Sequence, residues 1–142
     1  MVKEIKTLQA LKQVNGERDY RDSKGLLRKY VKEDYPLYMK WRFIIGYLLD
    51  LCGKYPKNVR FNLCDRITNM SLDVLEGIVE AIYAKRKTDI LLRANLYMEK
   101  LRALMQISVD KKFISLSQYE YICSEINEAG KMIGGWIKSC RE

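Results

Sequence analysis

Apolar residues recur at intervals of three and four along most of the chain after residue 36, which is the spacing of amphipathic helices. The first stripe follows Pro36, a residue favoured in the first helical turn, and stops at Gly53, which favours a helix end. Asn58 is a good N-cap for a second helix that ends in the cationic run 85–87. The predicted apolar positions are Leu37, Trp41, Ile44, Ile45, Leu48, Leu49 and Cys52, then Phe61, Cys64, Ile67, Ser71, Val74, Leu75, Ile78 and Ile82.

Two further helices complete the pattern. Thr88 or Asp89 is the predicted N-cap of the third helix. Two overlapping capping boxes predict the start of the fourth, Ser115 with Gln118 and Ser117 with Glu120. The stripes of these helices are Ile90, Ala94, Tyr97, Leu101, Leu104 and Met105, then Ile122, Ile126, Ala129, Ile133 and Trp136 or Ile137.

Four helices joined by short connections predict an all-α fold, an antiparallel up-down-up-down four-helix bundle over residues 37–142. Residues 1–36 form an N-terminal extension with a different pattern. They contain a polar stretch with two glycines between two short helical pieces, 1–14 and 24–32, and predict an arm that is partly helical.

Composition favours binding over catalysis. The 142 residues carry 26 basic and 18 acidic side chains, a net charge of +8, which attracts nucleic acid, an acidic protein face or anionic lipid. Histidine is absent, so the commonest general base and metal ligand is missing. Asp73, Glu76 and Glu80 share one helical face, but di-iron bundles also need a Glu-x-x-His motif. We expect no enzymatic activity, no cofactor and no metal.

The four cysteines contain no C-x-x-C motif and predict reduced, mostly buried thiols. The first residues lack the long apolar core of a signal peptide, and no apolar run approaches the ~20 residues of a membrane span. We therefore expect a cytoplasmic protein without a membrane partner.

Basic side chains of the predicted helices are the candidate contacts to a polyanion. Arg93 and Lys100 lie two turns apart on a face free of the apolar stripe, a spacing that suits phosphates. Arg102 follows Glu99 by three residues and predicts an ion pair. The full candidate set is Arg60, Arg66, Lys85, Arg86, Lys87, Arg93, Lys100 and Arg102.

Some of these cations have a structural explanation that is equally good. Arg66 follows Asp65 and is as well explained by a salt bridge. The run 85–87 lies at a predicted helix end, where the helix dipole favours cations. Lys111 and Lys112 are interpreted as solvated loop charges.

Gly134 and Gly135 interrupt the fourth helix, at about 1 kcal/mol each relative to alanine. With Trp136 they predict close approach of a neighbouring helix or subunit, and hence an oligomer interface. A core position within one subunit explains Trp136 equally well.

Three segments resemble the Avd accessory proteins of diversity-generating retroelements. They are RFNLCDRITNMSLDVLEGIVEA (60–81), LLRANLYMEKLRALMQ (91–106) and LSQYEYICSEINEAGKMIGGWIK (116–138), within a resemblance that covers roughly residues 37–138. The related intervening-sequence proteins of bacterial ribosomal RNA genes usually carry a stretch similar to SIPSNIAEG in their second helix. Residues 70–76 read MSLDVLE here, which favours the Avd branch.

The resemblance implies a homopentameric barrel that binds RNA or DNA through a basic surface. It also implies association with the element's reverse transcriptase in support of mutagenic copying of a template RNA. The alternatives are a stand-alone nucleic-acid-binding bundle of the intervening-sequence type, or a protein–protein adaptor whose basic face docks an acidic partner.

Overall fold

In a computed structural model, the described residues 35–141 form an antiparallel four-helix bundle, as predicted. The helices are α1 (Pro36–Cys52), α2 (Asp65–Tyr83), α3 (Thr88–Asp110) and α4 (Leu116–Arg141). Each packs against the next along the chain, and α1 also packs against α4, which closes the bundle. The predicted arm over residues 1–36, with its two helical pieces, lies outside the described residues except for Tyr35 and Pro36.

One continuous apolar core runs through the four helices. The indole nitrogen Nε1 of Trp41, a side chain with no exposed surface, donates a 2.8 Å hydrogen bond to the Ser71 carbonyl oxygen and ties α1 to α2. Further along α2, a Cβ atom built at Gly77 would lie 3.5 Å from the Ala94 Cβ atom, so α2 and α3 approach closely there. The prediction that Leu49 lies in the core is wrong, because its side chain is 48 % exposed on the outer side of α1.

Two of the predicted helix boundaries are confirmed. Pro36 is the first residue of α1, and Gly53 is its C-cap. The capping box of Ser115 and Gln118 also forms. The main-chain N–H of Gln118 donates to Ser115 Oγ at 3.1 Å, and the main-chain N–H of Ser115 donates to Gln118 Oε1 at 2.8 Å.

The start of the second helix differs from the prediction. Residues Lys57–Val59 form a 3₁₀ turn and Arg60–Cys64 a π-helical turn before α2 begins at Asp65. A π-turn contains more residues than an α-turn, so the apolar period of 3.6 does not hold across it. Phe61, predicted in the core, therefore lies outside it and is 89 % exposed.

The connection between α2 and α3 also corrects the prediction. Helix α2 ends at Tyr83, before the cationic run, and Ala84 is extended. Neither Thr88 nor Asp89 caps α3: the helix begins at Thr88, its N-cap is Lys87, and no side chain bonds to the first amides. Asp89 still contributes, because a carboxylate in the first turn is favoured by the helix dipole.

Helix α3 buries a stripe that is displaced from the predicted one. Ala94, Leu101 and Met105 are buried as expected. Ile90, Tyr97 and Leu104 are only partly buried at the edge of the core. The positions that sequence reasoning missed are Leu91, Met98 and Ser108.

Candidate nucleic-acid interface

The candidate cations around α2 lie at opposite ends of that helix. Arg60 lies in the π-turn before α2, and Lys85 and Arg86 follow its last residue. All three are exposed. Helix α2 has 19 residues, which corresponds to a rise of about 28 Å. The structure therefore separates these residues into two clusters, one at each end of the bundle.

Arg66 lies in the first turn of α2 with an exposed side chain. The salt bridges of residues 35–141 join Lys40 to Glu125 and Glu128, and Arg102 to Glu99. The ion pair considered for Arg66 is not among them. Within the described chain its guanidinium is available to a solution anion.

Lys87 has a structural role. Its ammonium Nζ folds back onto the end of α2 and donates at 2.6, 3.2 and 2.7 Å to the carbonyl oxygens of Ala81, Ile82 and Ala84. These three bonds use all three hydrogens of the ammonium and satisfy carbonyls that the helix end leaves without partners. Lys87 thus adds positive charge to the cluster of Lys85 and Arg86, but its hydrogens are engaged by the protein.

Arg93 and Lys100 share the predicted face of α3 and are both exposed. Between them lies Tyr97, and the Lys100 Nζ is 5.5 Å from the centre of its ring. Arg93 and Tyr97 also line a recess of about 230 Å³ between α2 and α3, whose other lining includes the α2 acids Asp73, Glu76 and Glu80. These carboxylates offset the positive potential, so this face is of mixed charge and less suited to a polyanion than the spacing alone predicted.

Arg102 lies on a different side of α3 from Arg93. Its guanidinium forms the predicted ion pair with Glu99. It also lies near two side chains of α4, Tyr119 and Cys123. Burial raises the pKa of the Cys123 thiol, and the hydrogen bond with Tyr119 and the Arg102 charge both oppose that rise. The Arg102 side chain is 32 % exposed and has Glu99 as its partner, so it is engaged within the bundle.

A further cationic cluster lies at the Arg60 end of the bundle, opposite the end that carries Lys85 and Arg86. Two connections meet there, residues 53–59 and 111–115, because the rings of Tyr55 and Phe113 pack with centroids 5.5 Å apart. Four exposed lysines form it: Lys54 and Lys57, which the candidate set omits, and Lys111 and Lys112, which the sequence interpretation treats as solvated loop charges. The two connections contain no acidic residue. That local absence is the signal that could have identified them.

Lys112 adopts an unusual backbone conformation. Its φ of 61° is the one positive φ of a non-glycine residue in the described chain. The amide of Lys112 donates to the Val109 carbonyl at 3.0 Å, and that of Phe113 to the Ser108 carbonyl at 2.9 Å. This is a Schellman motif, whose left-handed position glycine usually occupies. A lysine there costs stability, because its Cβ atom is crowded in the left-handed region.

The predicted interface residues of α4 divide into two kinds. Gly134 and Gly135 are exposed, and a Cβ atom built on either would meet nothing within 4 Å. No helix of the described chain therefore approaches them. Trp136 instead packs against the core of its own chain, and its ring centroid lies 5.5 Å from that of Tyr35.

The cysteines of residues 35–141 are poorly placed for thiol chemistry or metal binding. Cys52 and Cys64 are buried and Cys123 partly so, whereas Cys140 is exposed, and all four are free. Burial raises the pKa of the Cys52 thiol to about 12. A thiol is a poor nucleophile and metal ligand unless it ionises. Within these residues no three cysteine or acidic side chains group closely enough to hold a metal ion.

None of the described helices is both long and apolar enough to span a membrane. No curated protein gives a significant match to the chain. The model of one protein family, described as bAvd-like, matches residues 37–140. That range takes in all four helices except the first residue of α1 and the last of α4. Because the match covers well over half of the 142 residues, the chain belongs to the bAvd-like family.

Proposed function

We propose that this protein is a non-enzymatic accessory protein of a diversity-generating retroelement. In that role it binds RNA or DNA through cationic clusters and associates with the element's reverse transcriptase to support mutagenic reverse transcription. Membership of the bAvd-like family supports the accessory role. The proposed site of action is the cytoplasm.

The observation that supports nucleic-acid binding is that most of the candidate cations are exposed and form no salt bridge. Arg102 is paired with Glu99 and Lys87 caps α2. The other six are exposed and form no salt bridge with a carboxylate of the described chain: Arg60, Arg66, Lys85, Arg86, Arg93 and Lys100. Exposed cations that form no salt bridge are available to phosphates, and they displace the cations condensed on a nucleic acid when they bind.

The test is binding of the full chain to a fluorescent structured RNA over a series of salt concentrations. We expect affinity to fall linearly on a log–log plot, with a slope that counts the phosphates contacted. Affinity that does not change with salt, or the absence of binding at low salt, would contradict the proposal. Lys85→Gln with Arg86→Gln should reduce the slope, and Lys87→Gln should reduce it less.

Association with the reverse transcriptase and with further copies of the chain needs protein contact surfaces. An apolar row lies along the outer side of α3, where Leu92, Leu96 and Ile107 are each about half exposed. These positions lie four and eleven residues apart, so they face the same side of α3, away from the core. We propose this apolar row as a contact surface between proteins.

We further propose a homo-oligomer, a pentamer by the family resemblance, with the open side of α4 at Gly134 and Gly135 in the subunit interface. Light scattering on the full chain gives its mass directly. A fivefold mass supports the pentamer, and a monomer contradicts it. Co-purification with the reverse transcriptase after nuclease treatment tests the enzyme contact separately from RNA bridging.

The α3 row also favours a second candidate function, a protein–protein adaptor whose cations dock an acidic partner. Leu96→Asp separates the two functions. An adaptor should lose its partner and show no affinity for RNA at any salt. An accessory protein should keep its salt-dependent RNA affinity in this variant.

A further inference from the structure

Phe61 is the most exposed large apolar side chain of the described residues, with 89 % of its surface open to solvent. It lies in the π-helical turn Arg60–Cys64, directly after Arg60 and one 3₁₀ turn after Lys57. An aromatic ring held outside the core contributes little to folding, because it buries almost none of its apolar surface. The fold therefore gives no reason for an aromatic residue here.

Several cations lie at the same end of the bundle as this ring. The Tyr55–Phe113 contact joins the connection that precedes Phe61 to the α3–α4 connection, which carries Lys111 and Lys112. Together the two connections and Arg60 supply five exposed cations and no acid. The nearest acids along the chain are in the flanking helical turns, namely Asp50, Asp65 and Asp110.

Both connections depart from regular helix geometry at these residues. A π-helical turn presents Phe61, and Lys112 holds a left-handed backbone conformation that glycine would adopt more readily. Irregular turns of both kinds cost stability and are frequent at functional sites. Their coincidence at one end, with the only aromatic side chain in the described chain that is almost fully exposed, points to a binding site.

We infer that this end of the bundle is a site for single-stranded nucleic acid, in which an unpaired base stacks on the Phe61 ring. Lys57, Arg60, Lys111 and Lys112 contact the phosphates on either side of that base. This inference rests on the proposed nucleic-acid binding and names the surface and the strand state. An aromatic platform within a cationic groove is the general arrangement for binding single strands without sequence preference.

A duplex keeps its bases stacked inside and cannot offer one to Phe61. The ring should therefore discriminate between strand states, whereas the surrounding cations act on both. Leu116 is also exposed at this end, but it is aliphatic and has no π-face for a base.

The experiment measures binding of the full chain, at low and at moderate salt, to a fluorescein-labelled single-stranded RNA of about 16 nucleotides and to its duplex. For Phe61→Ala we expect affinity for the single strand to fall about tenfold and affinity for the duplex to change less than twofold. Phe61→Trp should retain single-strand affinity. Phe43→Ala on α1 is the matched control, an aromatic residue that is 39 % exposed and lies outside this site.

A second readout reports stacking itself. A 2-aminopurine base in the single strand should lose fluorescence on binding to the wild-type chain and keep it with Phe61→Ala. Lys111→Gln with Lys112→Gln should lower the salt slope by about two for either strand state, because each lysine that contacts a phosphate contributes about one unit. Lys131→Gln, an exposed cation on α4, should leave the slope unchanged.

The outcomes separate this site from the proposed function. Wild-type binding that Phe61→Ala leaves intact overturns the Phe61 site and preserves nucleic-acid binding elsewhere on the chain. No wild-type binding to either RNA overturns both. A change in the light-scattering mass of Phe61→Ala without RNA would make the ring a subunit contact and also overturn the inference.

Discussion

The indole nitrogen of Trp41 donates a hydrogen bond to the main-chain carbonyl of Ser71, 2.8 Å away and thirty residues later in the chain. Both residues are buried, and the bond fixes the height of α1 against α2. A hydrogen bond to a backbone atom specifies a position along the helix more narrowly than apolar packing does. It therefore restricts sliding of α1 along α2.

Trp41→Phe should lower the free energy of unfolding by about 2–4 kcal/mol, because it removes this hydrogen bond and leaves a cavity beside the smaller ring. Trp136→Phe is the matched control. Its indole is only partly buried, so the loss should be about 1 kcal/mol or less. Urea unfolding followed by circular dichroism at 222 nm measures both. Equal losses in the two variants would contradict the importance of the Trp41 bond.

Lys87→Gln should lower the free energy of unfolding by about 1 kcal/mol, because three carbonyl oxygens at the end of α2 lose a charged donor. Lys85→Gln, which removes an exposed charge two residues earlier, should change it by less than about 0.5 kcal/mol. Thermal unfolding of the two variants under identical conditions gives the comparison. RNA affinity should rank them in the opposite order, with the larger loss in Lys85→Gln.

The helix pattern was predictable from sequence because the period of 3.6 holds over most of each helix. Ile44 and Leu48 on α1, and Ile126 and Ile133 on α4, are buried as their spacing required. The period failed at Phe61, since the π-turn that displaces it leaves no mark in the order of apolar residues. The role of Lys87 could not be predicted from this period either, because its side chain bonds to main-chain carbonyls three to six residues earlier.

Candidate cations could be identified from sequence, but their partners could be identified only where both residues lie on one helix. The pairing of Arg102 with Glu99 was predictable because both lie on one helix at a fixed spacing. The acids beside Arg93 lie on α2, and their proximity depends on the close approach of Gly77 and Ala94. Such a relationship between helices appears only once the bundle is assembled.

Lys112→Gly should raise the free energy of unfolding by about 1 kcal/mol, because glycine adopts a φ of 61° without the crowding of a Cβ atom. Lys111→Gly, one residue earlier with a φ of −84°, should lower it by a few tenths of a kcal/mol or more. Urea unfolding of both variants measures whether the free energy of unfolding rises in the first and falls in the second. Destabilisation by Lys112→Gly would show that its side chain makes a stabilising contact.

Gly134→Ala with Gly135→Ala should stabilise the subunit by about 1–2 kcal/mol, since alanine favours the helix and each new Cβ atom meets open space within the chain. Gly134→Leu tests the proposed interface, because a large side chain there would hold a neighbouring subunit away. We expect it to reduce the mass measured by light scattering.

Gly46 on α1 provides the control for this interface, since a Cβ atom built there also meets nothing within 4 Å. Gly46→Leu should leave the mass of the assembly unchanged. If Gly134→Leu also leaves it unchanged, Gly134 is not in a subunit contact.

Alkaline pH should destabilise the fold through two buried, weakly acidic side chains, Cys52 at the end of α1 and Tyr55 in the turn that follows. Burial raises the pKa of the Cys52 thiol from 9.0 to about 12 and that of the Tyr55 hydroxyl from 10.0 to about 12. The unfolded chain loses these protons first, so it binds fewer protons than the folded chain between pH 9 and 12. Stability therefore falls as pH rises through that window and is fully present below it.

Urea unfolding between pH about 8 and about 10.5 should show this fall. Cys52→Ala should lower stability at every pH, because it removes buried atoms, but its stability should decline less steeply above pH about 9. Cys140→Ala is the control: its thiol is exposed, so the decline should match that of the wild-type chain. A Cys52→Ala curve parallel to the wild type would show that this thiol does not cause the alkaline loss.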